Sequence, residues 1–228
     1  MYLLRCLTLV IVLGALFSTS SFARPAPTPN QPPRLQVSLF NDARVDSATL
    51  VEAESRATAI FSAAGIQVDW FVCGPVDPAD FSPSKSDCSS LAWPCHLSVR
   101  IRPQAGGVSA ETFGQALVDS TGQGGVYSNV YFQNLVLSAH HPQLSNADML
   151  GYVLAHELGH LLLGSNSHSS SGLMQARWDH SALAIAARSS LLFTPAQSSI
   201  LRSRLASKSL RSACPSSSRL ILLARNDP

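Results

Sequence analysis

The sequence predicts an α+β domain in which a twisted mixed sheet packs on a long helix, and three patterns predict it. Short stretches alternate apolar and polar residues, two longer stretches repeat apolar residues at helical spacing, and glycine- or proline-rich turns separate them. The chain has 228 residues. Once its ends are set aside, that length suits one domain with a single core, and no internal repeat divides it.

The N-terminus reads as a targeting segment. Arg5 supplies a positive charge, Cys6 to Phe17 is an almost unbroken apolar run, and Ser21-Phe22-Ala23 offers the small residues that a signal peptidase reads. Residues 1–23 are therefore expected to be a signal peptide, which makes the mature protein secreted or periplasmic. An apolar run of about a dozen residues is too short to span a bilayer, so no stable membrane insertion is expected after cleavage. Arg24 to Pro33 is proline-rich and reads as an extended linker. The folded domain is expected over residues 34–228, with a serine-rich tail around Ser216 to Ser218.

The elements follow in order. Leu35, Val37 and Leu39 alternate with polar neighbours as a first strand, and Asp46 to Ala64 is an amphipathic helix closed by Gly65. Ile66 to Val72 is a second strand. Leu97, Val99 and Ile101 lie on one face of a third. After a turn at Gly106 and Gly107, Phe113 to Val118 adds a strand, Gly122 to Gly125 makes a connection, and Val126 to Phe132 forms another strand. Ser145 and Asp148 have the spacing of a capping box. Met149, Leu150, Val153, Leu154, Leu158, Leu161 and Leu162 then recur at helical spacing until Gly164, which takes the left-handed conformation at a helix end without a side-chain penalty. Thr194-Pro195-Ala196-Gln197 starts a last helix, with a capping threonine, proline at the first helical position and a glutamine to complete the box; it runs to about Ala206.

The chemistry is concentrated in His156-Glu157-Leu158-Gly159-His160. Residues four apart share a helix face, so His156 and His160 can aim two imidazole nitrogens at one metal ion. Glu157 is placed to take a proton from water, the division of labour in metal-assisted hydrolysis. Beyond Gly164 the polar turn Ser165-Asn166-Ser167 leads to His168. Three histidines leave zinc a fourth position open, the catalytic rather than the structural pattern.

This run resembles the signature of the metzincin zinc endopeptidases, HExxHxxGxxH followed by a methionine-containing turn, and matrixins are the comparison that fits best. The resemblance implies a single zincin-like domain with an active-site helix and a C-terminal helix after the methionine turn. It assigns His156, His160 and His168 as Zn2+ ligands, Glu157 as general base, and Met174 as the turn methionine. Three residues rather than two stand on each side of Gly164. The added residues turn the helix end by about a quarter turn and lengthen the loop. His180 and Asp179 are the alternatives for the third ligand. The resemblance also implies that a strand at the sheet edge, upstream of the helix, pairs with extended substrate, a role that falls to Val126–Phe132; an ordinary buried strand is the alternative there. Some relatives carry a tyrosine two positions after the methionine; this chain has Ala176.

The expected function is hydrolysis of peptide bonds in a peptide or protein substrate. A zinc-binding protein without turnover and a zinc amidase acting on cell-wall peptides are the alternatives. Low charged content, 13%, and a net charge of +2 argue against nucleic acid as the partner. Cys73, Cys88, Cys95 and Cys214 remain after signal cleavage, an even count that suggests two disulfides. Three pairings are open; local pairing of Cys88 with Cys95 would leave Cys73 to Cys214. His96 beside Cys95 is read as incidental to metal binding, while His140 and His141 before Pro142 stand at no ligand offset from His156 and are read as a solvated loop.

Overall fold

Strand β1 (Arg34–Asn41) lies inside the sheet because both of its edges find partners. It pairs in parallel with β2 (Gln67–Cys73) on one side and with β3 (His96–Arg102) on the other. Strand β5 (Tyr127–Tyr131) continues the parallel arrangement beside β3, and β4 (Gly114–Leu117) closes that side antiparallel to β5. The order is β2-β1-β3-β5-β4. This computed structural model describes residues 32–74, 88, 91–104, 107, 109–138 and 142–207. The expected signal segment, most of the linker, Gly106, His140, His141, Cys214 and the serine-rich tail lie outside them.

Alternation decides which face is buried. Leu35, Val37, Leu39, Leu97, Val99, Ile101 and Val130 all point to one side and are fully buried there against two helices. Each such side chain contributes on the order of 1.5–3 kcal/mol by leaving water. Helix α1 (Ser47–Ala63) is capped by Asp46, whose carboxylate accepts from the Thr49 amide at 2.9 Å. After β5 comes a short helix α2 (Phe132–Ser138), then α3 (Asn146–Leu163), α4 (His180–Ser189) and α5 (Pro195–Ala206).

Helix α3 passes through the core, with fifteen of its residues buried. It is held from both ends. At its start the Ser145–Asp148 capping box forms as expected, and Asp148 also receives Arg56 from α1, Nε to Oδ1 at 2.9 Å. At its end Gly164 has φ +63°, and its amide returns to the His160 carbonyl. A Cβ at Gly151 would overlap Ala53 and Arg56, so α1 and α3 cross at a distance that only glycine permits. Thr194 and Gln197 likewise form the box predicted for α5. Arg202 then donates to the Ala64 carbonyl at 2.7 Å, joining the last helix to the end of α1.

Three expectations change. Val126–Phe132 is not the edge strand: β5 is hydrogen-bonded on both sides, and the edge is β4. A parallel β5 leaves its outer side to a partner, and the preceding segment folds back to fill it. Cys88 does not pair with Cys95. The disulfide joins Cys73 to Cys88, because the end of β2 brings those Cα atoms to 5.9 Å. Cys95 is disulfide-bonded as well. Finally, α2 and α4 had no counterpart in the sequence reading. His96 is buried and shares a 2.8 Å hydrogen bond with Ser38, a structural use of the ring. Among the described residues, no helix is long and apolar enough to cross a membrane.

Candidate metal centre and cleft

His156 and His160 project from one face of α3, and their Nε2 atoms lie 3.0 Å apart. The other nitrogen of each ring is fixed by a carbonyl. His156 Nδ1 is 2.9 Å from the Leu173 oxygen, and His160 Nδ1 is 2.7 Å from the Ser165 oxygen. A carbonyl only accepts, so each Nδ1 carries the hydrogen and each Nε2 presents a lone pair. The two Nε2 atoms therefore face one another with lone pairs, an arrangement that repels unless a cation sits between them. Two nitrogens of a tetrahedral zinc site, each 2.0–2.1 Å from the ion, stand about 3.3 Å apart, close to what is seen here. Carbonyl partners behind metal-ligating histidines are also what holds such rings in orientation.

The turn after Gly164 brings in the third histidine. His156, His160 and His168 offer ligand atoms that all lie within 4.8 Å of one another. The longer spacing on each side of Gly164 thus closes on the pair rather than away from it. Ser169 donates its amide to the Met174 carbonyl at 2.8 Å, pinning the loop that carries His168. His168 is exposed, whereas His156 and His160 are buried. Burial holds both of the latter below the ordinary imidazole range, His156 down to about 3, so both are neutral and ready to bind a metal. The donor set, three neutral imidazoles with an open side, fits Zn2+.

Neither alternative ligand reaches this group. Asp179 caps α4, accepting from the Ala182 amide at 2.8 Å and from the Ser181 hydroxyl at 2.7 Å. His180 is the first residue of that helix and is not among the three.

Glu157 is 5% exposed and faces strand β4. Burial pushes its carboxyl up to about 8, opposed by a hydrogen bond from the Ala116 backbone amide. That amide is free to point at the helix because β4 is the edge. In the β4–β5 ladder Tyr131 donates to the Phe113 carbonyl, so Gly114 and Ala116 are the residues whose N–H and C=O groups turn outward.

Below the histidines, Met174 is fully buried beside Gly159, at the position the methionine turn was expected to fill. Trp178 completes the floor. Its Nε1 donates to the same Leu173 oxygen that receives His156, at 3.1 Å, and its ring meets that of His156 edge-on at 5.6 Å. The site opens into a cleft of about 780 Å³ between β4 and the segment that follows Met174. Phe113, Gly114 and Ala116 line one side, and Gln175, Ala176, Arg177 and Trp178 the other. Glu111 and Arg177 bridge the mouth with an exposed ion pair at 3.0 Å, of a kind worth at most about 1 kcal/mol.

The structure brings together His156, His160 and His168, places Glu157 at the same cleft and buries Met174 beside Gly159, all residues singled out in the sequence. Sequence reasoning missed Gly114 and Ala116, whose only signal is a small-x-small pattern on a short strand, and it assigned no role to Trp178.

No family model matches the chain, and no curated protein matches it. Among solved structures it is similar to a zinc-dependent peptidase from Methanocorpusculum labreanum, with 15% identity and a TM-score of 0.48 over 72% of this chain and 99% of that one. It is similar to archaemetzincin from Methanopyrus kandleri, at 17% identity and a TM-score of 0.46 over 80% of this chain and all of that one. It is also similar to metalloproteinase-II from Bacteroides fragilis, at 17% identity and a TM-score of 0.41 over 68% of this chain and 49% of that one.

Proposed function

We propose that this chain is an exported zinc-dependent endopeptidase of metzincin-like type, with His156, His160 and His168 as the metal ligands and Glu157 as the general base. The observation that carries the reading is the pair of Nε2 lone pairs held face to face by carbonyls behind them, with a third imidazole and a buried carboxyl at the same opening. Packing alone gives no reason to aim two lone pairs at each other. A Zn2+ ion there supplies Lewis-acid chemistry, lowering the pKa of water and polarising a carbonyl.

The chain's own residues supply the rest. With a cation at the three imidazoles favouring its ionised form, Glu157 takes the proton of the attacking water on its carboxylate and passes it to the leaving amine. The Ala116 amide holds that carboxylate in place. The N–H and C=O of Gly114 and the Ala116 carbonyl remain along the free edge of β4, so an extended peptide adds to the sheet there and lies across the cleft. The neutral imidazoles are oriented by Leu173 and Ser165, which spares the site any reorganisation when it is loaded.

Export is proposed on two grounds. Residues 1–23 have the pattern of a signal peptide, and the Cys73–Cys88 disulfide suits an oxidising compartment. The test of the whole reading is metal analysis and peptide-library cleavage by the purified mature chain. Glu157→Ala should retain one equivalent of zinc and lose cleavage by on the order of a hundredfold or more; full activity in that variant would sink the assignment.

A further inference from the structure

Strand β4 and helix α3 come into contact where Gly114 meets Glu157. A Cβ built on Gly114 would lie 2.4 Å from Glu157 Oε1 and 2.6 Å from both its Cδ and Cγ. Two residues on, the Ala116 side chain fits on the same face and is 6% exposed. Gly114 is not in a left-handed conformation, so its backbone alone does not call for glycine. What the position excludes is volume, and the volume it leaves is filled by the carboxylate arm of one residue.

We infer that Gly114 is a positioning residue for the general base: its missing side chain is the slot in which the Glu157 carboxylate rests, held by the Ala116 amide. The inference rests on Glu157 acting as general base. Glu157 is nearly fully buried, so a methyl group at Gly114 moves the carboxylate rather than letting it swing aside into water. Overlap with Cγ, near the root of the side chain, requires the whole arm to shift. A displacement on the order of an ångström at a catalytic group costs up to about a hundredfold in rate. Substrate binding along the edge uses the main chain of β4, which alanine retains, so the loss belongs in kcat rather than KM.

A pair of measurements tests this. In the metal-free chain, thermal unfolding is compared for wild type, Gly114→Ala, Glu157→Ala and the double variant. Alanine in place of glycine inside a strand ordinarily stabilises. Here Gly114→Ala should lower the midpoint by several degrees when Glu157 is present, and leave it within about one degree or raise it when residue 157 is alanine. Equal drops in both backgrounds would overturn the inference, because the clash would then lie elsewhere. In the zinc-loaded enzyme Gly114→Ala should keep its zinc, hold KM within about twofold and lose at least about tenfold in kcat. Leu117→Ala, an exposed side chain on the opposite face of the same strand, serves as the control with unchanged kcat. Unchanged kcat in Gly114→Ala, with Glu157→Ala inactive, would refute the positioning role while leaving the peptidase reading intact. A wild-type chain that binds zinc and cleaves nothing, yet shows the coupling in unfolding, would overturn the peptidase reading and leave the Gly114–Glu157 contact standing.

Discussion

Asp148 is the carboxylate on which helix α3 starts, and replacing it by asparagine isolates the value of its charge. Its Oδ2 receives the Ser145 amide at 3.1 Å and hydroxyl at 3.0 Å, while its Oδ1 receives the Arg56 guanidinium. The side chain is 18% exposed and that of Arg56 33%, so the pair is partly withdrawn from water. Asparagine keeps the shape and an acceptor oxygen but loses the charge-assisted bonds. A surface pair would be worth about 0–1 kcal/mol; this one, with a guanidinium fork and a helix N-terminus at once, should cost about 1–2 kcal/mol when broken.

The pH dependence fixes the sign. Burial opposes ionisation of Asp148, but Arg56 and the two Ser145 groups prevail and hold its carboxyl below the usual range. A depressed folded pKa stabilises the protein above the unfolded value of about 3.9, and that stabilisation fades as pH falls toward the folded value. Urea unfolding of the metal-free chain should therefore show wild type ahead of Asp148→Asn by about 1–2 kcal/mol at pH 7, with the gap shrinking continuously below about pH 4. Zinc affinity should not change, because His156 lies two turns further along the helix. A gap of the same size at pH 7 and pH 3 would refute the charge argument.

Gly159→Ala should destabilise, although alanine is the better helix former by about 1 kcal/mol: its Cβ would lie 2.8 Å from both Met174 Sδ and Phe193, and overpacking of that kind costs about 1–3 kcal/mol. A raised unfolding midpoint in the metal-free variant would contradict this. His168→Ala should weaken zinc binding by at least about a hundredfold in competition titrations with a chelator; near-normal affinity would exclude His168 as the third ligand. Replacing Cys73 and Cys88 together by alanine should cost roughly 3 kcal/mol, since the bridge closes a loop between residues 15 apart in sequence. Denaturant unfolding under oxidising conditions measures it, and no loss would mean that the loop is already constrained in the unfolded chain.

The parts of the site legible in the sequence are those carried by local rules. His156, Glu157 and His160 sit at one helical spacing, and Ser145 with Asp148, Thr194 with Gln197, and Gly164 are capping signals whose physics involves only near neighbours. All of these formed as expected. The edge strand was not legible, because whether β4 or β5 lies outermost depends on which strand β3 accepts, a pairing between residues far apart in sequence. Helix α4 was hidden for a related reason. It buries only Ala182 and Ala186, too narrow a stripe to stand out, and its cap, Asp179, resembled a ligand as much as a cap. The Cys73–Cys88 bridge depends on where β2 ends in space, and Gly114 matters only through a side chain 43 positions further along, as the numbering of Gly114 and Glu157 shows.

The Leu173 carbonyl, shared by His156 and the Trp178 indole, also gives the protein an optical reporter of its own. Of the three tryptophans, Trp70 donates to Thr58 and Trp93 to the Leu161 carbonyl, while Trp178 alone is bonded to the oxygen that anchors a proposed metal ligand. Indole emission responds to its hydrogen bond and to the charge of an adjoining imidazole, so loading and emptying the centre will be visible in the unlabelled chain.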